Sequence, residues 1–142
     1  MIFRNGSVCA TLFVLISLGM GTSVAVAQPE ALETVQFTAE QVARGEREYN
    51  RSCLDCHGAN LDDGEFGGPP LRGTNFREKW FDLTADALFD FASYTMPPDR
   101  PGRLSAQVYA DLTAFILSHN GLEPSEVELP ADSEALSELA LQ

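Results

Sequence analysis

The stretch Cys53-Leu54-Asp55-Cys56-His57 determines how the rest of the chain is interpreted. The 142-residue chain has three cysteines, and the one outside this motif, Cys9, lies in an apolar stretch near the N-terminus. A Cys-x-x-Cys pair followed directly by His is the attachment signature of c-type haem. Two thiols form thioethers with the haem vinyl groups, and the His then lies beneath the iron. The spacing therefore predicts one covalently bound haem c, with His57 as an iron ligand.

Three other interpretations of the two cysteines stay open at this point. A thioredoxin-like redox pair requires a βαβ context, which the sequence pattern does not show. A zinc site needs four protein ligands, and beyond the motif itself the chain offers only His119 as a further histidine. A plain disulfide between Cys53 and Cys56 is the third alternative, since an exported chain with two cysteines can form one.

Met96 is predicted to be the second iron ligand, because the other two methionines, at positions 1 and 20, lie near the N-terminus. It stands between Thr95 and two prolines, directly after a predicted helix, and the prolines restrict the backbone there. Low-spin c-type iron takes a sixth ligand, commonly Met or His. Met96 could instead fill the core. His119 is the rival ligand, but its position at the end of the last predicted helix favours a structural or surface role.

Residues 1–27 have the pattern of a secretory signal peptide. Arg4 gives a positive start, residues 8–20 form a short apolar run, and a site of small residues ends at Ala27. The apolar run is short for a membrane span. We therefore expect cleavage after Ala27, export to the periplasm and no stable membrane span afterwards. An uncleaved anchor is the alternative.

The charge of the chain excludes one class of partner. The sequence has 21 Asp and Glu against 9 Lys and Arg, which gives a net charge of −12. Cleavage would take this from −12 to −13, because residues 1–27 contain one Arg and no acid. So acidic a chain is unsuited to nucleic acid or to an anionic membrane surface.

Helical periodicity dominates the chain after the N-terminal segment, and neither strand-like alternation nor an internal repeat is evident. Thr38 and Gln41 form a capping-box pattern that predicts a helix over residues 39–52. Further helices are predicted over residues 84–94 and after Ser105, where apolar residues recur at helical spacing. The sequence thus predicts an all-α domain of three or four short helices wrapped around one haem.

The segments outside the predicted helices complete the predicted division of the chain. Residues 58–79 are rich in Gly, Asp, Asn and Pro, and so long a loop suits a compact domain if it wraps a cofactor. The acidic C-terminal stretch is typical of a solvated segment, so we expect deletion of residues 123–142 to cost little stability. Four segments are predicted: a signal peptide (1–27), an irregular lead-in (28–37), the cytochrome c domain (38–121) and an acidic C-terminal extension (122–142).

In order and combination, these motifs resemble those of bacterial class I, mitochondrial-type cytochromes c. The resemblance covers about residues 38–121. It implies the cytochrome c fold, in which the first and last helices cross, so that Gly45 and Tyr49 meet the face of Tyr109 and Phe115. The matching pieces are Cys-Leu-Asp-Cys-His-Gly at 53–58, Gly-Pro-Pro-Leu-Arg-Gly at 68–73, Thr-Met-Pro at 95–97, and the closing helix with Tyr109 and Phe115.

The resemblance also implies roles for single residues. By residue match, the Pro69 carbonyl accepts the Nδ1–H of His57, which fixes the tautomer and raises the basicity of the ligand. Three side chains could hydrogen-bond a haem propionate, and could equally be a surface charge or core aromatics: Arg72, Trp80 and Tyr94. Four apolar side chains could line the haem pocket or belong to the plain core: Phe66, Leu71, Phe76 and Phe81.

Residues 94–105 are similar to the corresponding run of small cytochromes that accompany periplasmic quinoprotein dehydrogenases. Ligation by His57 and Met96 would leave no open coordination site, which predicts an electron carrier and not an enzyme. The similarity implies that this carrier accepts electrons from a dehydrogenase and passes them to a respiratory acceptor such as a terminal oxidase. Two alternatives stay open: a haem-bearing subunit of a larger dehydrogenase or oxidase complex, and a haem sensor or enzyme in which Met96 is displaced. Because Lys79 is the only lysine, a lysine ring around the haem edge is absent.

Overall fold

Helices make up most of the ordered secondary structure in the computed structural model, which describes residues 31–142. The predicted signal peptide and the start of the lead-in lie outside the described residues. Four helices of seven or more residues, two single-turn helices and one pair of very short strands follow in chain order: β1 (Glu33–Thr34), α1 (Ala39–Ser52), α2 (Leu54–His57), α3 (Thr74–Trp80), α4 (Ala85–Thr95), α5 (Ala106–Ser118), α6 (Ser133–Leu136) and β2 (Leu139–Ala140).

Local capping defines where α1 and α5 begin. The Thr38 hydroxyl accepts the Gln41 N–H, and the Gln41 side chain accepts the Thr38 N–H, both at 3.2 Å. This is the reciprocal pattern of a capping box, so the predicted start of α1 is confirmed. The Ser105 hydroxyl accepts the N–H of Val108 at the start of α5.

Helix α3 lies mostly within the segment that the sequence predicts to be a loop. Gly73 precedes it with φ of 86°, and no side chain caps its first turn, so the sequence carries no start signal there. Phe76 and Trp80, one turn apart, are both buried and hold the helix against the core. The predicted loop was therefore too long, because seven residues with one apolar pair give too little periodicity to detect.

The centre of the fold is the contact between α1 and α5. A Cβ built on Gly45 would overlap the backbone carbonyl of Asp111 and lie 2.8 Å from the Cβ of Phe115. One turn later, the rings of Tyr49 and Phe115 pack with centroids 5.0 Å apart. The predicted meeting of Gly45 and Tyr49 with α5 is therefore confirmed, and the glycine is there because the two backbones touch.

A partly buried ion pair adds to the same contact. Arg44 on α1 donates through Nε and Nη2 to the two carboxylate oxygens of Asp111 on α5, at 2.8 and 3.0 Å. Arg44 also donates to Glu128 of the C-terminal segment at 2.9 Å. These hydrogen bonds, first the one to Asp111, raise the pKa of Arg44 above its ordinary value. The group ties α1, α5 and the C-terminal segment together.

The C-terminal segment is part of the core, which corrects the expectation that residues 123–142 can be removed at little cost. Leu129, Leu136 and Leu141 are almost completely buried. The Gln41 side chain donates to the Leu129 carbonyl at 2.9 Å and accepts the Leu129 N–H at 2.7 Å. The acidic residues of the segment face solvent while its leucines face inward. The acidic composition therefore suggested a solvated segment although its leucines are packed in the core.

Backbone hydrogen bonds join both ends of the described chain. β1 and β2 pair in parallel, and the Val35 N–H donates to the Ala140 carbonyl at 2.8 Å. The N–H of Ser125 donates to the carbonyl of Phe37 at 2.7 Å. The segment before α1 and the segment after α5 therefore hold each other, and residues 31–142 form one compact unit. Within that unit, no helix has the length and apolar character needed to cross a membrane.

Candidate haem site

The Cys-x-x-Cys-His motif forms the single-turn helix α2 directly after α1. The Cys53 N–H donates to the Tyr49 carbonyl at 2.9 Å, so the end of α1 positions the first cysteine. The N–H of His57 donates to the Cys53 carbonyl at 2.9 Å. Positions three residues apart share one face of a helical turn, so Cys53 and Cys56 are presented together.

A backbone carbonyl fixes the orientation of the buried His57 ring. The Nδ1 atom of His57 lies 2.8 Å from the carbonyl oxygen of Pro69. A carbonyl oxygen can only accept, so Nδ1 must carry the proton and Nε2 keeps its lone pair for a metal. This is the contact that the family resemblance implied, and it leaves His57 in the tautomer that an iron ligand needs.

Gly68 allows the Pro69 loop to come this close. A Cβ on Gly68 would lie 2.6 Å from the carbonyl oxygen of Cys56 and 3.0 Å from Nδ1 of His57. The Gly68 N–H donates to that same Cys56 carbonyl at 2.9 Å. The loop is thus pinned to α2, which brings the Pro69 carbonyl to the imidazole.

Cys53 and Cys56 both line a cleft of about 250 Å³. Its other lining residues come from the end of α1, from the two residues between the cysteines and from the segment 97–99, which follows Met96 directly. The Met96 N–H donates to the Ala92 carbonyl at 2.9 Å, which ends α4, and the Met96 carbonyl accepts the Tyr109 hydroxyl at 2.7 Å. The cleft therefore has the haem-attachment motif and the Met96 segment along its edges.

The cysteines do not fit the other chemistries that the sequence left open. Cys53 and Cys56 are not bonded to each other. Burial, and secondarily the nearby Glu48 carboxylate, raises the pKa of the Cys53 thiol to about 12. Nucleophilic redox cysteines have lowered pKa values instead. Within residues 31–142, no three His, Cys, Asp or Glu side chains cluster closely enough to hold a metal ion. Two unbonded thiols beside a His of fixed tautomer are the donors that covalent haem requires.

Some predicted contact residues lie away from the cleft. Arg72 lines a separate groove of about 320 Å³ together with Arg77 and His119, and this groove shares no lining residue with the cleft. His119 is held locally, with Nδ1 3.0 Å from the Phe115 carbonyl. Trp80 is buried in the aromatic part of the core. Arg72 and Trp80 therefore do not line the cleft of the two cysteines. Because the propionates are on the haem edge opposite the thioether bonds, their contact with a propionate stays a prediction.

Other predicted residues lie nearer the motif or at the surface. Leu71 is half-buried, and its N–H donates to the Leu61 carbonyl at 2.7 Å. Phe66 and Tyr94 are 73% and 76% exposed. Their exposure fits either a haem contact or a docking surface. Among the remaining pocket candidates, Phe76 is buried in the core and Phe81 packs against it.

The hydrogen bonds of two buried tyrosines next to the site escaped the sequence analysis. Tyr49 donates to the carbonyl of Gly58, next to His57, and Tyr109 donates to the carbonyl of Met96. The sequence marked both tyrosines as apolar packing residues. Only the periodicity of their rings was visible in the sequence, because the acceptors lie on other elements.

Comparison with known proteins places this site in a family. No curated protein sequence gave a match. The structure is similar to the crystal structure of the sulfane dehydrogenase SoxCD from Paracoccus pantotrophus, with a TM-score of 0.52 and 21% sequence identity, over 86% of this chain and 68% of that chain. At this identity the likeness shows the fold alone. The family model described as cytochrome c oxidase, cbb3-type, subunit III matches residues 40–116, which is more than half of the chain and includes both the motif and Met96. The chain therefore belongs to this family of c-type cytochrome domains, which bind haem c covalently and transfer electrons.

Proposed function

We propose that this chain is an exported single-haem electron carrier with His57 and Met96 as axial ligands. It would accept electrons from a periplasmic dehydrogenase and pass them to a respiratory acceptor. The observation that carries the proposal is that Cys53 and Cys56 line one cleft together with residues 97–99, which directly follow Met96. When bound, haem c supplies a one-electron iron couple.

Each residue of the site has a separate task in this proposal. Cys53 and Cys56 hold the haem by thioether bonds. His57 binds through Nε2, while its Nδ1–H donates to the Pro69 carbonyl, which raises the basicity of the ring. If Met96 also bound the iron, no coordination position would stay open, and this would disfavour oxygen or peroxide chemistry. A Met ligand also raises the reduction potential.

A second candidate is a haem-bearing subunit of a larger dehydrogenase or oxidase complex. The exposed rings of Phe66 and Tyr94 would be available for contact with other subunits of such a complex. The solved structure with a similar fold is a sulfane dehydrogenase. Gel filtration and co-purification from periplasm distinguish the two, because a free carrier elutes as a monomer and a subunit elutes with its complex.

The covalent attachment is tested on the holoprotein. Acid–acetone extraction should leave the haem on the polypeptide, and intact mass should show one haem per chain. Cys53→Ala and Cys56→Ala should each shift the pyridine haemochrome band to that of a single thioether bond. Haem that is fully extractable from the wild-type protein would contradict the proposal.

Met96→Ala tests the distal ligand. The oxidised wild-type protein should show the weak near-infrared sulfur-to-iron band. In Met96→Ala this band should disappear, the reduced protein should bind CO, and the reduction potential should fall, because the thioether favours ferrous iron. An unchanged spectrum would mean that another group is the ligand. CO binding by the wild-type protein would favour a sensor or enzyme instead.

A further inference from the structure

The backbone of Met96 is held at both of its polar atoms. Its N–H donates to the Ala92 carbonyl at 2.9 Å, the last hydrogen bond of α4. Its carbonyl accepts the hydroxyl of Tyr109 on α5 at 2.7 Å. Tyr109 is only 2% exposed, so the donor end of this hydrogen bond is buried, while Met96 is half-buried.

Within the described part of the chain, the residue after Met96 makes no backbone hydrogen bond to another helix. Pro97 has no N–H to donate. Its carbonyl accepts the N–H of Arg100 at 3.0 Å, which closes a turn within the segment itself. Of these three hydrogen bonds, the one from Tyr109 alone reaches a different helix. It therefore ties the Met96 backbone directly to α5.

We propose that Tyr109 is a positioning residue for the distal ligand: its hydrogen bond to the Met96 carbonyl keeps the thioether on the iron against competing ligands. This inference rests on the proposed function, in which Met96 binds the iron. For another ligand to replace the thioether, the Met96 segment must move away from the cleft. That movement breaks the bond and leaves a buried hydroxyl and a carbonyl unpaired, which opposes the displacement.

Tyr49 provides a matched control. It is also almost completely buried, at 1% exposed, and its hydroxyl also donates to a backbone carbonyl at 2.7 Å. Its acceptor is Gly58, on the side of the attachment motif rather than of Met96. Tyr49→Phe and Tyr109→Phe therefore remove the same atom from the same kind of hydrogen bond at two different places.

The experiment is an imidazole titration of the oxidised holoprotein, followed by the Soret band and by loss of the near-infrared sulfur-to-iron band. In Tyr109→Phe the apparent Kd for imidazole should fall about five- to tenfold, the value of one hydrogen bond. In Tyr49→Phe it should stay at the wild-type value. Both variants should lower the thermal midpoint of the helical circular dichroism, so stability alone does not explain the difference.

A rescue variant keeps the test independent of folding defects. Replacement of Tyr109 by 4-aminophenylalanine keeps the ring and an N–H donor at its end, and it should restore the wild-type imidazole affinity. Equal changes in Tyr49→Phe and Tyr109→Phe, no change in Tyr109→Phe, or no rescue would each overturn the inference. Any of these three results overturns the role of Tyr109 but not the proposed function, provided that Met96→Ala loses the near-infrared band. If the band persisted in Met96→Ala, Met96 would not be the ligand and the proposed function itself would be contradicted.

Discussion

At the scale of single residues, Gly68 explains how a backbone carbonyl can reach the imidazole of His57. A side chain at position 68 would collide with the Cys56 carbonyl and with Nδ1 of His57. Gly68→Ala should therefore push the Pro69 loop away and weaken the hydrogen bond to Nδ1. A less basic imidazole stabilises ferric iron less, so the reduction potential should rise, and overpacking should cost about 1–3 kcal/mol of stability.

Gly67→Ala is the control for this prediction. Nothing lies within 4 Å of a Cβ at position 67, but its φ of 71° disfavours any L side chain. That variant should lose about 1–2 kcal/mol through backbone strain alone and keep the wild-type potential. Voltammetry of both variants separates the two effects. Equal potentials in Gly68→Ala and the wild-type protein would show that the loop tolerates a methyl group there.

At the scale of elements, the crossing of α1 and α5 reverses an ordinary helix preference. In an exposed helix, replacing Gly by Ala stabilises by about 1 kcal/mol. At position 45 the added methyl group would overlap the Asp111 carbonyl, which is backbone and cannot turn aside. Gly45→Ala should therefore destabilise the protein, by about 1–3 kcal/mol or more, as measured by guanidinium unfolding of the holoprotein.

An exposed position of the same helix gives the comparison. Ala43 faces solvent on α1. Ala43→Gly should destabilise by about 1 kcal/mol through helix propensity. If glycine-to-alanine at position 45 proved stabilising, the close approach of α1 and α5 would be wrong.

At the scale of the whole molecule, the C-terminal segment completes a core that the helices leave open. The side chain of Leu141 is fully buried and its N–H donates to the Leu83 carbonyl at 3.3 Å. Leu141→Ala should cost about 2–5 kcal/mol of unfolding free energy, because it removes buried methyl groups and leaves a cavity. Leu32→Ala removes the same atoms from a side chain that is 48% exposed, and it should cost much less.

Deletion of residues 123–142 should be more severe than either substitution. It removes the buried Leu129, Leu136 and Leu141, the partner of β1, and the two hydrogen bonds between Gln41 and Leu129. We expect a large fall in the thermal midpoint or no accumulation of holoprotein. A truncated protein as stable as the full chain would show that these contacts contribute little.

The chemistry of this protein could be predicted from the sequence because its signals are contiguous. Cys53, Cys56 and His57 lie within five residues, and covalent haem attachment depends on that spacing alone. The assignment of Met96 as second ligand also uses local signals, the prolines that follow it and its few rivals, and it stays a prediction. The capping box of α1 and the apolar stripe of α5 are likewise local patterns, so these helices were predicted close to their actual bounds.

Only the tertiary structure decided which residues meet across long separations. The C-terminal segment is acidic on average, and averaging hides the few leucines that fill the core. The groove of Arg72 and the acceptors of Tyr49 and Tyr109 depend on where distant segments pack, which residue type does not encode. A motif fixes chemistry through covalent neighbours, whereas burial and hydrogen-bond partners depend on the packing of the whole chain.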